Sequence, residues 1–501
     1  MADEIPNRDP LPSILLARKP LFTASKNDTT TTATSKAGYL ISVSFWLADP
    51  PELSLFSIDC SKPQNLQHRK HCNFKSMPRV VAADGPFVLL RVAFFCCRPE
   101  YFLYTAKDPP SLHPIPPPDE SGDFRARELG ILGHRDGDNY LLADLLDAPS
   151  SEWDDVYQLR IYSSETKSWS TRRLRNPCPG LDRVIPDKVI TLGQGGLLGW
   201  VDLSRGLLVC DLLLLLEHQD QDPPVPGAVS YIPLPEPLPG NMYNLKHPIP
   251  PTQKWKPSSL EDEPSHSASW FRDLACVNGV LKFVEMENPA PPESKDDIIY
   301  DSDLIMSKLN HKASKQQQLL SFRGAWRAVI WTRKVLPPSN FWRQTSSARS
   351  AHALTDHHSA FPVIRPDDEG DDIILYVKTV EELSHRDGRV AALDIGNMAL
   401  RAIGRYYLPH DFYRNPGYHH EHPFRACTLS RHLNMTPGNQ VSECHKIIED
   451  SSSANHPSET SDRNPKAIRI GREKQASTKM LLRVLYRMIY FPGPSYLNNL
   501  V

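Results

Sequence analysis

Leu274-Ala275-Cys276-Val277, then Asn278-Gly279, then Val280-Leu281-Lys282-Phe283-Val284 is the stretch that decides the fold. Two apolar runs flank an Asn-Gly pair. Both turn residues accept the positive φ of a primed two-residue turn, so the segment predicts a tight hairpin. The same unit recurs outward in both directions. Upstream, Val156 to Tyr162 alternates with Tyr157, Leu159 and Ile161 on one face, Ser163 to Ser168 reverses, and Trp169 to Leu174 returns. Lys188 to Leu192, a glycine turn over Gly193 to Gly196, Leu197 to Leu203, Ser204-Arg205-Gly206 and Leu207 to Cys210 continue the series. Downstream, Ala325 to Trp331, Ile373 to Val377, Val390 to Asp394 and, past Gly396-Asn397, Ala399 to Ile403 extend it. Tyr39 to Leu47, Val80 to Phe95 and Leu129 to Leu146 fit the same scheme.

Hairpins recurring from Tyr39 to Ile403 with few helical stretches predict an all-β chain built by radial repetition of small sheets. The expected fold is an irregular β-propeller-like fold with long loops, and paired β-sandwiches are the alternative. Many strands are apolar on both faces, as strands between neighbouring sheets must be. The chain carries 47 prolines in 501 residues, roughly twice the average share, which favours short strands with irregular connections over long helices. The expected layout is a propeller-like domain over 1–438 with mobile polar insertions at 244–269 and 287–318. A largely disordered tail follows over 439–501, with an apolar, Arg-punctuated stretch Met480 to Phe491 that suits a short terminal helix.

Lys+Arg total 57 against Asp+Glu 59, a net charge of -2. That balance argues against dedicated nucleic-acid binding, which needs a strongly basic face. The apolar runs are interrupted, by Arg91 within Phe87 to Cys97 and by Asp211 within Leu207 to Leu216. Neither reaches the roughly 20 residues of a membrane span. Met1-Ala2-Asp3-Glu4-Ile5-Pro6 lacks the order of a signal peptide. The 9 cysteines form no C-x-x-C pair. They read as reduced and structural, which places the chain inside the cell, in cytoplasm or nucleus.

Candidate chemistry is sparse. Gly193-Gln194-Gly195-Gly196-Leu197-Leu198-Gly199 has Leu198 where a dinucleotide loop needs its third glycine, and a strand follows instead of a helix. His419-His420-Glu421-His422 has zinc-type donors, but adjacent ligands on one loop do not readily converge on one ion. His357-His358 is weaker. Asp367-Asp368-Glu369-Gly370-Asp371-Asp372 lacks the alternating spacing of a calcium loop and reads as a charged turn. Asp136-Gly137-Asp138-Asn139 reads likewise. Asp202 and Asp394 precede turns and are expected to accept turn N–H groups. Trp153, Trp169, Trp200, Trp326 and Trp331 are expected in core packing. No G-x-S-x-G elbow or nucleophilic-cysteine signature occurs, so no catalytic, cofactor or metal residue is assigned.

Several segments together resemble one family. They include Ile14-Leu15-Leu16-Ala17-Arg18, Val43 to Pro51, Tyr162 to Ser170, Leu198 to Gly206, Tyr231 to Pro239, Arg272 to Glu287, Trp326 to Arg333 and Leu429 to Gly438. The set is similar to the plant proteins of the domain of unknown function 1618, expanded in grasses. The resemblance implies a protein without an assigned activity, in the style of propellers that present a face to protein partners. The expected function is a non-enzymatic scaffold binding another protein. The alternative is a hydrolase-type enzyme with its site in the axial pocket.

Overall fold

The structure is a computed structural model. It describes residues 13–61, 74–94, 98–118, 128–133, 139–147, 156–178, 184–193, 195–218, 227–242, 245, 267–287, 326–335, 341–349, 354, 356–366, 373–380, 388–397, 399–406 and 422–433. All belong to the first of two compact units, Met1–Ile447; the second is Ile448–Val501. The tail, the acidic turn 367–372, Trp153 and nearly all of both expected insertions lie outside the described residues.

Six sheets are arranged as blades around an axis. Blade 2 comprises β5 (Phe74–Asp84), β6 (Phe87–Phe94), β7 (Glu100–Thr105) and β8 (Ser111–Pro114). Blade 3 comprises β9 (Gly130–Gly133), β10 (Tyr140–Asp147), β11 (Val156–Ser163) and β12 (Ser168–Arg175). Blade 4 comprises β13 (Lys188–Thr191), β14 (Leu197–Asp202), β15 (Gly206–Asp211) and β16 (Val229–Pro233), with a short helix α1 (Leu212–Glu217) between its last two strands. Blade 5 comprises β17 (Arg272–Val277), β18 (Val280–Glu287), β19 (Arg327–Lys334) and β20 (Arg343–Arg349). Blade 6 comprises β21 (His358–Ile364), β22 (Ile374–Val380), β23 (Gly388–Asp394) and β24 (Ala399–Tyr406). Each is an antiparallel meander whose first strand is innermost, and the inner strands neighbour one another around the axis.

Blade 1 joins the two ends of the ring. β2 (Thr31–Thr34), β3 (Leu40–Trp46) and β4 (Leu53–Ser61) are followed inward by β1 (Ile14–Ala17) and β25 (Phe424–Cys427). β1 pairs antiparallel with β25 from Ile14↔Cys427 to Ala17↔Phe424, and parallel with β4 at Leu15↔Leu53 and Leu16↔Ser54. The fold is a six-bladed β-propeller, and the paired-sandwich alternative does not hold.

The apolar double-faced strands follow from this stacking. In β6, Val88, Leu90, Val92 and Phe94 pack into the layer shared with blade 1, while Phe87 and Leu89 join the layer shared with blade 3. In β18, Leu281 and Phe283 face blade 4, and Val284 and Met286 face blade 6. The period-2 alternation of a strand thus feeds two cores, not one core and solvent. Asn278 (φ 50°) and Gly279 (φ 74°) make the expected hairpin turn, with Val277 opposite Val280. Trp200 and Trp326 are buried as expected, whereas Trp169 and Trp331 are half-buried.

Two buried charge pairs in the blades are matched cross-strand neighbours. Asp144 lies opposite Arg160 on β10 and β11 and is ion-paired to it. Arg272 lies opposite Glu285 on β17 and β18, Nη2 to Oε2 2.8 Å, both fully buried. Asn241 donates to the same Glu285 at 2.7 Å, fastening the proline-rich segment after β16 to β18.

One expectation is corrected. Cys210 and Cys427 are free and buried, but Cys60, at the outer end of β4, is disulfide-bonded. Missing C-x-x-C spacing excludes that one redox or metal motif; it does not prevent cysteines at other spacings from pairing once the chain folds. Among the described residues no helix is long and apolar enough to cross a membrane.

The seam between blades 6 and 1 is close at Gly404 of β24, where an added Cβ would stand 2.4 Å from the backbone of Pro51 and Glu52. Neither neighbour is a flexible side-chain end. Gly404→Ala is therefore expected to cost about 1–3 kcal/mol, the usual range for overpacking. Gly195→Ala, which meets nothing within 4 Å, serves as the control. Urea unfolding of both variants checks this, and equal midpoints would refute the seam argument.

Candidate functional site

Because the innermost strand opens each blade, the interblade connections and the second turn of every blade lie on the face where inner strands begin. Several inner strands carry a charged residue at that end. Glu128 stands two residues before β9, Lys188 opens β13, Asp273 is second in β17 and Arg425 second in β25. Arg18 follows β1, beside β25. All five line an axial cavity of about 320 Å³.

They are tied into two knots. Arg18 Nη2 donates to Glu128 Oε1 at 2.9 Å, and Arg425 Nη2 to Glu128 Oε2 at 3.3 Å. Lys188 is ion-paired to Asp273, whose other oxygen accepts the Ile364 N–H at 3.2 Å. Arg18 also holds β5, since its Nε donates to the Val80 carbonyl at 3.4 Å and its own carbonyl accepts the Val80 N–H at 2.9 Å. Toward the opposite end, Asp84 closes β5. It accepts the Gly133 N–H at 2.9 Å and the Thr191 hydroxyl at 3.3 Å, and burial pushes its carboxyl above the ordinary range despite both donors.

His422, two residues before β25, lines the same cavity. Burial first, then the charges of Lys188 and Arg18, pull its pKa down to about 3. The imidazole is therefore neutral through the physiological range and cannot switch there. Its ring meets Phe361 edge-on at 5.3 Å and Phe424 at 5.6 Å. Phe361 has φ 57°, an uncommon conformation for a bulky residue, at the point where β21 shifts register against β22. It packs on Trp270 at 4.7 Å between centroids. Strain of this kind persists only where surrounding packing holds it.

The residues singled out in the sequence do not assemble this site. Gly193 and its neighbours form the turn between β13 and β14, as expected. Only His422 of the histidine cluster is described, and among the described residues no group of His, Cys, Asp and Glu could hold a metal. Asp202 accepts the Ser204 N–H at 2.9 Å and the Ile185 N–H at 3.2 Å, and Asp394 the Asn397 N–H at 3.0 Å; both bind turns as expected. Asn139 accepts from Ser164 at 3.3 Å. No local sequence pattern marks Arg18, Glu128, Lys188, Asp273 and Arg425, because each is a lone charge far from the others in the chain. Their common signal is position: a single charge at the start of an apolar inner strand.

Behind Phe361, the Lys378 Nζ lies 4.5 Å from the Tyr406 ring centre and 5.8 Å from that of Phe361. No carboxylate among the described residues is paired with it. Burial first and Lys19 second lower its pKa from 10.5 to about 8. Between those values the unfolded chain binds more protons, so this lysine weakens the fold at neutral pH and the penalty fades as pH rises. Lys378→Met is thus expected to raise the urea midpoint at pH 7.5, with an advantage that shrinks by pH 9.5. An advantage that grows with pH would contradict the assignment.

No curated protein sequence matches the chain. Among solved structures, an ancestral GH74 enzyme is 9% identical with a TM-score of 0.30, covering 82% of this chain and 41% of that one. The chain therefore spans about two-fifths of that enzyme's length. The WD40 domain of SCAP from fission yeast is 10% identical with a TM-score of 0.28, covering 76% and 75%. Apo AztD from Citrobacter koseri is 11% identical with a TM-score of 0.22, covering 82% and 88%. Residues 200–374, from β14 to the start of β22, match the family model described as a protein of unknown function (DUF1618), which supports that domain family over this span.

Proposed function

We propose that the chain is a non-enzymatic interaction scaffold, a plant, grass-type member of this family, whose rigid ring presents the face where inner strands begin to another protein. The observation that carries this reading is the commitment of the axial charges to one another. A hydrolase of the paired-carboxylate type needs two acids free to exchange protons around a substrate. Here Glu128 is held by two guanidiniums and Asp273 by an ammonium and a backbone N–H. Around this polar mouth the same face carries solvent-exposed apolar side chains. Ile185, 38% exposed, and Met242, 43% exposed, lie on the connections that open the adjoining blades 4 and 5. Apolar anchors beside a polar rim suit a protein interface.

The hydrolase reading rests on Asp84, a cavity carboxyl pushed upward by burial, as a general acid would be. The two readings separate cleanly. Crosslinked affinity capture from plant extract should return a partner whose retention falls at least tenfold in the double variant Ile185→Glu/Met242→Glu, with unfolding unchanged. Glycoside or ester turnover that survives this double variant and is abolished by Asp84→Asn would instead decide for the enzyme.

A further inference from the structure

We infer that the axial cavity binds a carboxylate, held by the guanidiniums of Arg18 and Arg425. The reason is a local mismatch in charge. Two arginines share one acid, Glu128, at 2.9 Å and 3.3 Å, and the three side chains are only 10%, 15% and 8% exposed. Of the other acids that line the cavity, Asp273 is bonded to Lys188 and the Ile364 N–H, Asp187 accepts the Leu203 N–H at 2.8 Å, and Asp84 accepts the Gly133 N–H and the Thr191 hydroxyl. His422 is neutral and adds no charge. Within the Arg18–Glu128–Arg425 knot one positive charge is therefore left over among the described residues, largely out of water, where it is costly unless an anion or water meets it.

The donor count agrees with the charge count. Arg18 uses Nε and Nη2, and Arg425 uses Nη2. Among the described residues, Arg18 Nη1 and Arg425 Nε and Nη1 donate to nothing, and both arginines line the cavity. A guanidinium offers its N–H groups as a planar fork that fits the two oxygens of a carboxylate. A singly charged carboxylate cancels the surplus, whereas a phosphate dianion would overshoot it. About 320 Å³ admits a small molecule or the end of a chain. The carboxylate can thus come from a free metabolite-sized acid or from an acidic group of a docked protein. The site does not depend on the interaction reading, since it requires no partner.

Isothermal titration of the purified full-length chain with acetate, succinate and inorganic phosphate, at matched ionic strength, tests this. A peptide with a free carboxyl terminus and its amidated twin form a second arm. At least one carboxylate should bind saturably. Arg425→Gln should weaken it at least tenfold, the scale of a charge-assisted hydrogen bond. Glu128→Gln should tighten it about tenfold by freeing both guanidiniums; a purely structural cluster would lose stability without gaining affinity. If Glu128→Gln does not fold, Arg425→Gln and Arg425→Lys carry the test, with lysine expected to be weaker than arginine because the fork is lost. Binding of the small acids identifies a free ligand, and binding confined to the free-terminus peptide identifies a protein-borne one. The inference is overturned by no saturable binding in either arm, by phosphate binding tighter than every carboxylate, or by affinity unchanged in Arg425→Gln.

Discussion

Ile14 opposite Cys427, Leu15 opposite Ala426, Leu16 opposite Arg425 and Ala17 opposite Phe424 turn an open fan of sheets into a ring. Every other strand pairing is with a strand close in sequence, apart from the short contact of β1 with β4. Joining the chain's distant ends costs loop entropy, but that cost grows slowly, by about 0.6 kcal/mol per doubling of length. Ile14, Leu15 and Leu16 are fully buried. Each such side chain contributes roughly 1.5–3 kcal/mol on leaving water, so closure outweighs its entropic cost. It also removes the two open edges that an unclosed fan would present.

Closure accounts for the axial charges. In a blade the innermost strand is an edge, and its inward N–H and C=O groups have no ladder partner. Buried backbone groups of this kind must be bonded elsewhere. The charged side chains of neighbouring blades do this: Asp84 takes the Gly133 N–H, Asp273 takes the Ile364 N–H, and Arg18 reaches the Val80 carbonyl. The axis is polar because the sheet edges meet there, and each charge then requires an opposite charge. Lys188 meets Asp273 one for one. Around Glu128 the matching is two for one, and the geometry leaves that knot incomplete.

Much of the ring was legible in the chain. Asn278-Gly279 specified its turn because positive φ at both positions suits few other residue pairs, and the alternation of Tyr157, Leu159 and Ile161 marked β11. Strands apolar on both faces, such as β6, correctly implied flanking sheets. Blade number was not legible, because spacing between hairpins varies with the long connections. Ile14 to Ala17 and Phe424 to Cys427 are only four residues each. A four-residue apolar run carries no period, and nothing local reveals a partner at the other end of the chain. The axial site was hidden for the same reason. Its members are single charges that only the ring brings together. The disulfide at Cys60 shows the limit of reading cysteine chemistry from the C-x-x-C spacing alone.

The seam where blade 6 meets blade 1 gathers the features that sequence patterning could not place. Phe361, packed in the core shared with blade 5, also meets His422 just before β25, Lys378 sits between aromatic rings with no acid among the described residues paired with it, and Gly404 stands against the backbone of Pro51 and Glu52. Arg18 belongs to the same region, clasping β5 through Val80 while reaching Glu128 across the axis. One side chain therefore serves both the closing of the ring and the knot that faces the cavity. Anything that neutralises the surplus charge at that knot lowers the free energy of the closed ring by the same amount that it binds, since an open fan has no such site. The axial cavity and the closure strand are thus thermodynamically one element, with occupancy of the first favouring integrity of the second.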